Sequence, residues 1–120
     1  RRAVAERYWE LLGGVPGVKA CVPPEGVRHN YAYMPVVFDP TVFGATRDDV
    51  FDALAKEEIG ARKYFHPLVS AYACYRGRFD AADTPVAREA AARVLTLPLY
   101  ADLALPDVDR ICGIVRGCVR

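Results

Sequence analysis

The chain opens in helical rhythm. Val4, Tyr8, Leu11 and Leu12 recur at i, i+4, i+7 and i+8, which lines one face of a helix, and Gly13-Gly14 stops the run before Pro16-Gly17 turns the chain. A helix is therefore predicted over residues 2–12. Residues 18–22 are short and apolar except for Lys19, and Pro23-Pro24-Glu25-Gly26 ends them, which reads as a strand. The run Tyr31-Ala32-Tyr33-Met34-Pro35-Val36-Val37-Phe38 is aromatic and β-branched and also reads as a strand. Pro35 has no N–H for a ladder, so this strand is expected at an edge or with a bulge, with His29-Asn30 at its mouth and Asp39-Pro40 closing it.

Thr46-Arg47-Asp48-Asp49 has the form of a helix start, with Thr46 as cap and Asp49 at the reciprocal position of a capping box. Val50, Phe51, Leu54 and Ala55 then make one apolar stripe, and Gly60, free to take the left-handed conformation, is expected to end the helix. Beyond it, residues 61–68 are read as a short strand running into a turn, and residues 69–83 as loop with a helical turn. Thr84-Pro85 predicts a capped helix with proline at its first position, in which Ala87, Ala90, Ala91 and Val94 form a narrow face suited to close packing on a sheet. Residues 95–99 read as a short strand, and Pro106 starts a final helix whose Val108, Ile111, Cys112 and Val115 repeat the i, i+3, i+4, i+7 spacing. Interleaved strands and helices around one small, mainly antiparallel sheet, with helices on one face, predict an α+β two-layer sandwich over residues 1–120 as a single domain.

Composition narrows the classes of function. With 120 residues, 52% of them hydrophobic and 26% charged, the chain can build a core without disulfides or metal. Sixteen Lys and Arg against fifteen Asp and Glu leave +1, too little for a broad cationic surface that would hold nucleic acid. Cys21, Cys74, Cys112 and Cys118 show no C-x-x-C spacing and form no ligand pattern with His29 and His66, so no metal is expected and the cysteines are read as buried, reduced thiols of a cytoplasmic protein. No apolar run approaches the ~18 residues that span a bilayer. The sole methionine is Met34 and the first helix starts in mid-rhythm, which suggests a piece of a larger protein.

One stretch is denser in reactive side chains than any other: Ile59-Gly60-Ala61-Arg62-Lys63-Tyr64-Phe65-His66-Pro67-Leu68. Strand alternation would put Arg62, Tyr64 and His66 on one face and Lys63 with Phe65 on the other. These side chains can recognise a polar ligand: Arg62 and Lys63 can meet an anion, Tyr64 and His66 can hydrogen-bond hydroxyls, and an aromatic ring can stack on a ring. Asn30 and Tyr31 are placed at the same mouth, although core packing with the hydroxyls at the rim is the plainer reading of Tyr31 and Tyr33. The phosphate-loop, dinucleotide, nucleophile-elbow and zinc-protease motifs are all missing from the sequence. Of the three lysines, Lys19 and Lys56 read as solvated charges, and Lys63 has no phosphate cradle or pyridinium partner beside it. By itself this chain is not expected to catalyse a reaction or to bind a cofactor.

Several of these segments together resemble a known family. Arg1-Arg2 and Tyr8 of the first helix, Asn30-Tyr31-Ala32-Tyr33 leading into Pro35-Val36-Val37, Arg47-Asp48-Asp49-Val50, the 60–68 stretch, Thr84-Pro85-Val86-Ala87 and residues 94–99 are similar, in that order, to the C-terminal small domain of the DegT/DnrJ/EryC1/StrS aminotransferases. The resemblance implies a pyridoxal-phosphate-dependent enzyme of fold type I, a homodimer when intact, that moves an amino group from glutamate to the keto carbon of a nucleotide-linked sugar. It also implies that the Schiff-base lysine and the phosphate cradle belong to a large domain outside this sequence. The family's Tyr/His-Pro segment falls on Tyr64, Phe65, His66 and Pro67, whereas the histidine many members carry after the proline is replaced here by Leu68-Val69-Ser70. The competing reading is a stand-alone α+β module that binds a small ligand or a partner at its sheet edge without catalysis.

Overall fold

A computed structural model describes residues 1–119. Its elements are α1 (Arg2–Leu12), β1 (Val18–Ala20), β2 (Met34–Phe38), α2 (Pro40–Phe43), α3 (Arg47–Lys56), α4 (Pro85–Arg93), β3 (Val94–Leu97) and α5 (Leu105–Gly117). The three strands form one antiparallel sheet in the order β1-β2-β3. This is the expected α+β two-layer sandwich: Met34, Val36 and Phe38 of β2 and Leu95 and Leu97 of β3 share a core with Tyr8 and Leu12 of α1, Val50 and Leu54 of α3, and Val108, Ile111, Cys112 and Val115 of α5. Among the described residues no helix is long and apolar enough to cross a membrane.

Each helix of the buried layer is also fastened at its rim. Arg7 of α1 donates from Nε and Nη2 to the two oxygens of Asp109 on α5, at 2.7 and 3.1 Å, and Arg110 donates to Glu57 just past α3 at 2.8 Å. The capping box at α3 is complete: Asp49 N donates to Thr46 Oγ1 at 3.1 Å, and Thr46 N donates to Asp49 Oδ2 at 2.8 Å. Two orphan donors of the first turn are thereby satisfied. A short helix, α2, follows where Asp39-Pro40 closes β2, because Asp39 accepts from Thr41 N at 3.0 Å and Pro40 supplies a ready-made first helical residue. Gly17 lets α2 pack close: at φ +74° it would place a Cβ 2.5 Å from Phe43 N.

Pro35 sits in the central strand, against the expectation of an edge or bulge. Ladder bonds alternate sides along a strand. Met34 and Val36 face β3, paired with Leu97 and Leu95, so Pro35 turns its backbone toward β1 at the point where β1 ends at Ala20. Its carbonyl accepts from Cys21 N at 3.2 Å, and its missing N–H coincides with the end of that ladder. The strand starts at Met34 and not at Tyr31, because side chains capture the backbone before it: Tyr31 N donates to His29 Nδ1 at 3.0 Å and Ala32 N to Asn30 Oδ1 at 3.1 Å, with Tyr31 at φ 52°.

The end of α3 also departs from expectation. Ile59 N donates to Leu54 O and Glu58 N to Ala55 O, both at 3.0 Å, and the left-handed residue is Glu58 at φ 60°, not Gly60. This is a Schellman closure, in which Leu54 and Ile59 supply the accompanying apolar contact with the core. Residues 61–65 do not form a strand either. Arg62 makes a single bridge with Thr96, and a turn closed by His66 N donating to Lys63 O at 2.7 Å then diverts the chain.

Residues 69–83 contain three 3₁₀ turns, at Val69–Ala71, Ala73–Tyr75 and Ala81–Asp83. Thr84 does not cap α4 through its side chain, and of the alanine face only Ala91 is buried, Ala87 and Ala90 being exposed. α4 thus projects most of its surface outward. The Cα radius of gyration is 15.2 Å, against ~13.6 Å for a compact chain of this length. Of the cysteines read as buried thiols only Cys112 is buried, while Cys21 and Cys74 are exposed. Cys21 lies just past β1, which ends at Ala20 and not at residue 22 as expected, and Cys74 lies in the 3₁₀ turn at Ala73–Tyr75.

Candidate functional site

The single Arg62–Thr96 bridge sets the geometry of the reactive stretch. Arg62 N donates to Thr96 O at 2.9 Å and Thr96 N to Arg62 O at 2.7 Å, which lays residues 60–64 along the outer edge of β3. With Leu95 and Leu97 turned into the core, the chain of β3 presents its outer edge to Arg62. A groove of ≈ 340 Å³ opens where β2 enters and β3 leaves the sheet. Arg62, Tyr64, Tyr33, Thr96 and Leu99 are among its walls.

Alternation holds for three residues and then fails. Arg62 and Tyr64 line the groove, with the guanidinium carbon 5.7 Å from the centre of the Tyr64 ring, whereas Lys63 points away, its ammonium 4.4 Å from the centre of Phe51 and 2.5 Å from Asp48 Oδ1. Phe65 does not follow Lys63 to the other side. It stacks on Tyr64 at 4.8 Å with planes 15° apart, and Tyr33 meets both rings edge-on at 5.7 and 6.3 Å. The result is a three-ring cluster beside an exposed cation that, among the described residues, pairs with no carboxylate. Such a pairing of guanidinium and ring faces suits an anion attached to a flat or hydroxylated ring.

The other expected residues are not gathered here. His66 is exposed and lies outside the groove lining, because the turn at 63–66 takes it past the sheet. Asn30 spends its side-chain oxygen on Ala32 N. Tyr31 faces a different cavity, of ≈ 190 Å³, where it packs against His29 at 5.0 Å and Trp9 at 6.4 Å. The aromatic that reaches the groove is Tyr33, half exposed and not a core residue. Tyr33 and Thr96 were within reach of sequence reasoning: Met34, Val36 and Phe38 fix one face of β2, and Leu95 and Leu97 fix that of β3, which leaves Thr96 between them for other contacts.

Electrostatics hold the stretch from behind. Asp48 Oδ1 also accepts from Arg47 Nε at 2.6 Å, and the Lys63 ammonium followed by Arg47 keeps its carboxyl below the usual carboxylate range despite partial desolvation. Arg47 is 4% exposed and donates from Nη1 to the carbonyls of Ala91 and Val94, each at 3.0 Å. Of the lysines, Lys63 is engaged with Asp48 and Phe51, and Lys19 and Lys56 are exposed and outside the groove. Among the described residues there is no cluster of three or more metal-ligating side chains.

A model of the DegT/DnrJ/EryC1/StrS aminotransferase family matches residues 1–116. A dTDP-4-amino-4,6-dideoxy-D-glucose transaminase of Escherichia coli is 35% identical over 119 residues, which are 98% of this chain and 32% of that protein. A solved structure of DesI in the presence of its TDP-sugar product is similar with a TM-score of 0.90 at 32% identity, over 98% of this chain and 30% of that one. TlmJ, an aminotransferase from Streptoalloteichus hindustanus, gives 0.82 at 28% identity over 98% of this chain and 30% of its own. The chain thus spans about a third of the length of the relatives it matches.

Proposed function

Because this chain belongs to the DegT/DnrJ/EryC1/StrS aminotransferase family, we propose that it is the C-terminal small domain of a pyridoxal-phosphate-dependent transaminase that moves an amino group from glutamate to the keto carbon of a nucleotide-linked sugar. The observation that carries this reading is the groove itself. An exposed Arg62 that among the described residues pairs with no carboxylate, beside the Tyr33–Tyr64–Phe65 cluster, offers a diphosphate-binding cation and ring faces in one place, in a chain similar to a transaminase whose name specifies a dTDP-sugar. The whole protein is a cytoplasmic homodimer in this reading. Its remaining residues hold the cofactor, since no lysine of this chain is placed to do so.

Within that enzyme the groove is a wall of the substrate cleft. Arg62 holds phosphate charge, the Tyr64 hydroxyl hydrogen-bonds the sugar, and Tyr33 with Phe65 keeps the Tyr64 ring in place. Glutamate is small and would meet the cofactor without touching this wall. Losing these groups should therefore slow the sugar half-reaction and spare the glutamate half-reaction. Single-turnover kinetics of Arg62→Ala and Tyr64→Phe in the full-length enzyme, run with each substrate, test the reading, and equal losses in both half-reactions would refute it. His66→Ala and Asn30→Ala, at residues outside the groove lining, are expected to change neither. The isolated chain mixed with pyridoxal phosphate should show no stoichiometric absorbance band above that of a control protein, and a one-to-one adduct at Lys63 would overturn the assignment of the cofactor to the rest of the protein.

A further inference from the structure

The stretch that forms one wall of the groove is weakly tied to the sheet. Arg62 and Thr96 share two backbone hydrogen bonds, but among the described residues no second bridge follows, and Arg62 is exposed while Lys63 and Tyr64 are only partly buried. One isolated bridge with few buried neighbours belongs to the low-stability end of a structure. Something else must fix the direction in which Arg62 and Tyr64 point.

The contacts behind the stretch close a circuit. Lys63, between the two groove residues, sends its side chain the opposite way across the face of Phe51 to Asp48 Oδ1. The same oxygen accepts from Arg47 Nε at 2.6 Å, and Arg47, buried, donates to Val94 O at the start of β3 and to Ala91 O at the end of α4. β3 then returns to the stretch through Thr96 and Arg62. Asp48 itself cannot drift, because it lies in the first turn of α3 between the two members of the Thr46–Asp49 capping box. Apart from the peptide bond that joins Lys63 to Arg62, the circuit from β3 round to β3 is closed by hydrogen bonds and ion pairs, and Asp48 Oδ1 is the acceptor that Arg47 and Lys63 share.

We propose that Asp48 is a positioning residue for the groove, holding Lys63 so that Arg62 and Tyr64 face the nucleotide-linked sugar. The inference rests on the function proposed above and adds to it a residue that touches no substrate. Asp48 and Lys63 are partly exposed, with side chains 58% and 31% accessible, so the pair contributes little to global stability. Its loss shows in the orientation of the wall and not in the survival of the fold. Misplacing a contact by about an ångström is enough to cost on the order of ten- to a hundred-fold in rate.

The test uses the full-length transaminase that carries this chain, with Asp48→Asn, Lys63→Met, the double variant, Lys63→Arg and, in parallel, Arg62→Ala. Asp48→Asn and Lys63→Met are each expected to lower kcat/KM for the sugar half-reaction by about ten-fold while the glutamate half-reaction stays within about two-fold. The double variant should be no worse than either single one, because both open the same link. Lys63→Arg should restore most of the loss, and the thermal midpoint should move by less than about 3 °C. Amide exchange at Arg62 and Thr96 should accelerate about ten-fold in Asp48→Asn, a readout that does not depend on turnover. Wild-type kinetics and exchange in Asp48→Asn and Lys63→Met, with Arg62→Ala still slow toward the sugar, would overturn the positioning role and leave the site assignment standing. Equal losses in both half-reactions that track a falling midpoint would overturn it in favour of a purely structural role. If Arg62→Ala is also silent, the site assignment falls and this inference with it.

Discussion

Leu54→Ala removes a side chain on which two features of the fold converge. Leu54 is fully buried between the sheet and α5, and its backbone carbonyl accepts the N–H of Ile59 that closes α3. Three carbons are lost, which at ~0.8 kcal/mol per buried methylene is about 2.4 kcal/mol of transfer free energy. A further cost comes from the cavity, which the neighbours can fill only in part because they are anchored: Val50 lies one turn away behind the capping box, and Ile59 depends on Leu54 for its apolar contact at the helix end. The total is expected at about 3–4 kcal/mol, within the ~2–5 measured for buried Leu→Ala changes. Urea unfolding of the 120-residue chain followed by circular dichroism measures it, as a fall in midpoint at unchanged slope. Val86→Ala, at a position 81% exposed on α4, is the control and should stay within about 0.5 kcal/mol. A loss below about 1 kcal/mol for Leu54→Ala would refute the placement of α3 against the core.

Three other outcomes follow from local chemistry. Among the described residues the Tyr8 hydroxyl is buried with no hydrogen-bond partner, and burial pushes its ionisation up, so Tyr8→Phe should be neutral or stabilising by up to about 2 kcal/mol, and a clear loss of stability would reveal a partner for it. Glu58→Gly should stabilise by up to about 1 kcal/mol, because Glu58 holds the left-handed closing position of α3 at φ 60°; destabilisation would mean that its side chain matters more than its backbone. Asp39, Asp48 and Asp109 all ionise below the usual range, held respectively by Thr41, by Lys63 and by Arg7, so the stability they supply is present above the unfolded value near ~3.9 and is lost as pH falls through the folded values. At the other end burial raises Cys112 from 9.0 to about 11, so the unfolded thiol ionises first and stability falls as pH rises from 9.0 toward 11. Thermal midpoints across the pH range check both limbs, and Cys112→Val should flatten the alkaline one.

Where burial followed a single period, the sequence was legible. α5 buries its whole predicted stripe, α1 and α3 bury the centre of theirs while Ala55 of α3 is exposed, and the capping box at Thr46 is formed as its residues foretell. The misses share a different cause, competition between local and tertiary bonds. His29 and Asn30 bond the backbone of Tyr31 and Ala32 and so delay β2, a bond that depends on a turn no hydrophobic pattern encodes. Pro35 is tolerated centrally because of where β1 happens to stop, which belongs to the partner strand and not to residues 31–38. Ala87 and Ala90 suited a packed face, yet nothing in the described chain packs on them. Around the groove, Arg62 and Tyr64 share a wall because alternation survives for three residues. His66 leaves that wall because the turn at Lys63 ends the alternation, and Tyr33, expected in the core because an aromatic in a strand usually is buried, is half exposed.

The central claim is that the Arg62–Tyr64 groove borders the sugar nucleotide. A crystal structure of the full-length enzyme with its nucleotide-linked sugar bound tests this most directly. The account predicts an Arg62 guanidinium nitrogen or the Tyr64 hydroxyl within hydrogen-bond distance of the ligand, about 3.5 Å or less, with Asp48 still bound to Lys63 behind them. A ligand seated elsewhere, with this groove open to solvent or filled by protein, would contradict it.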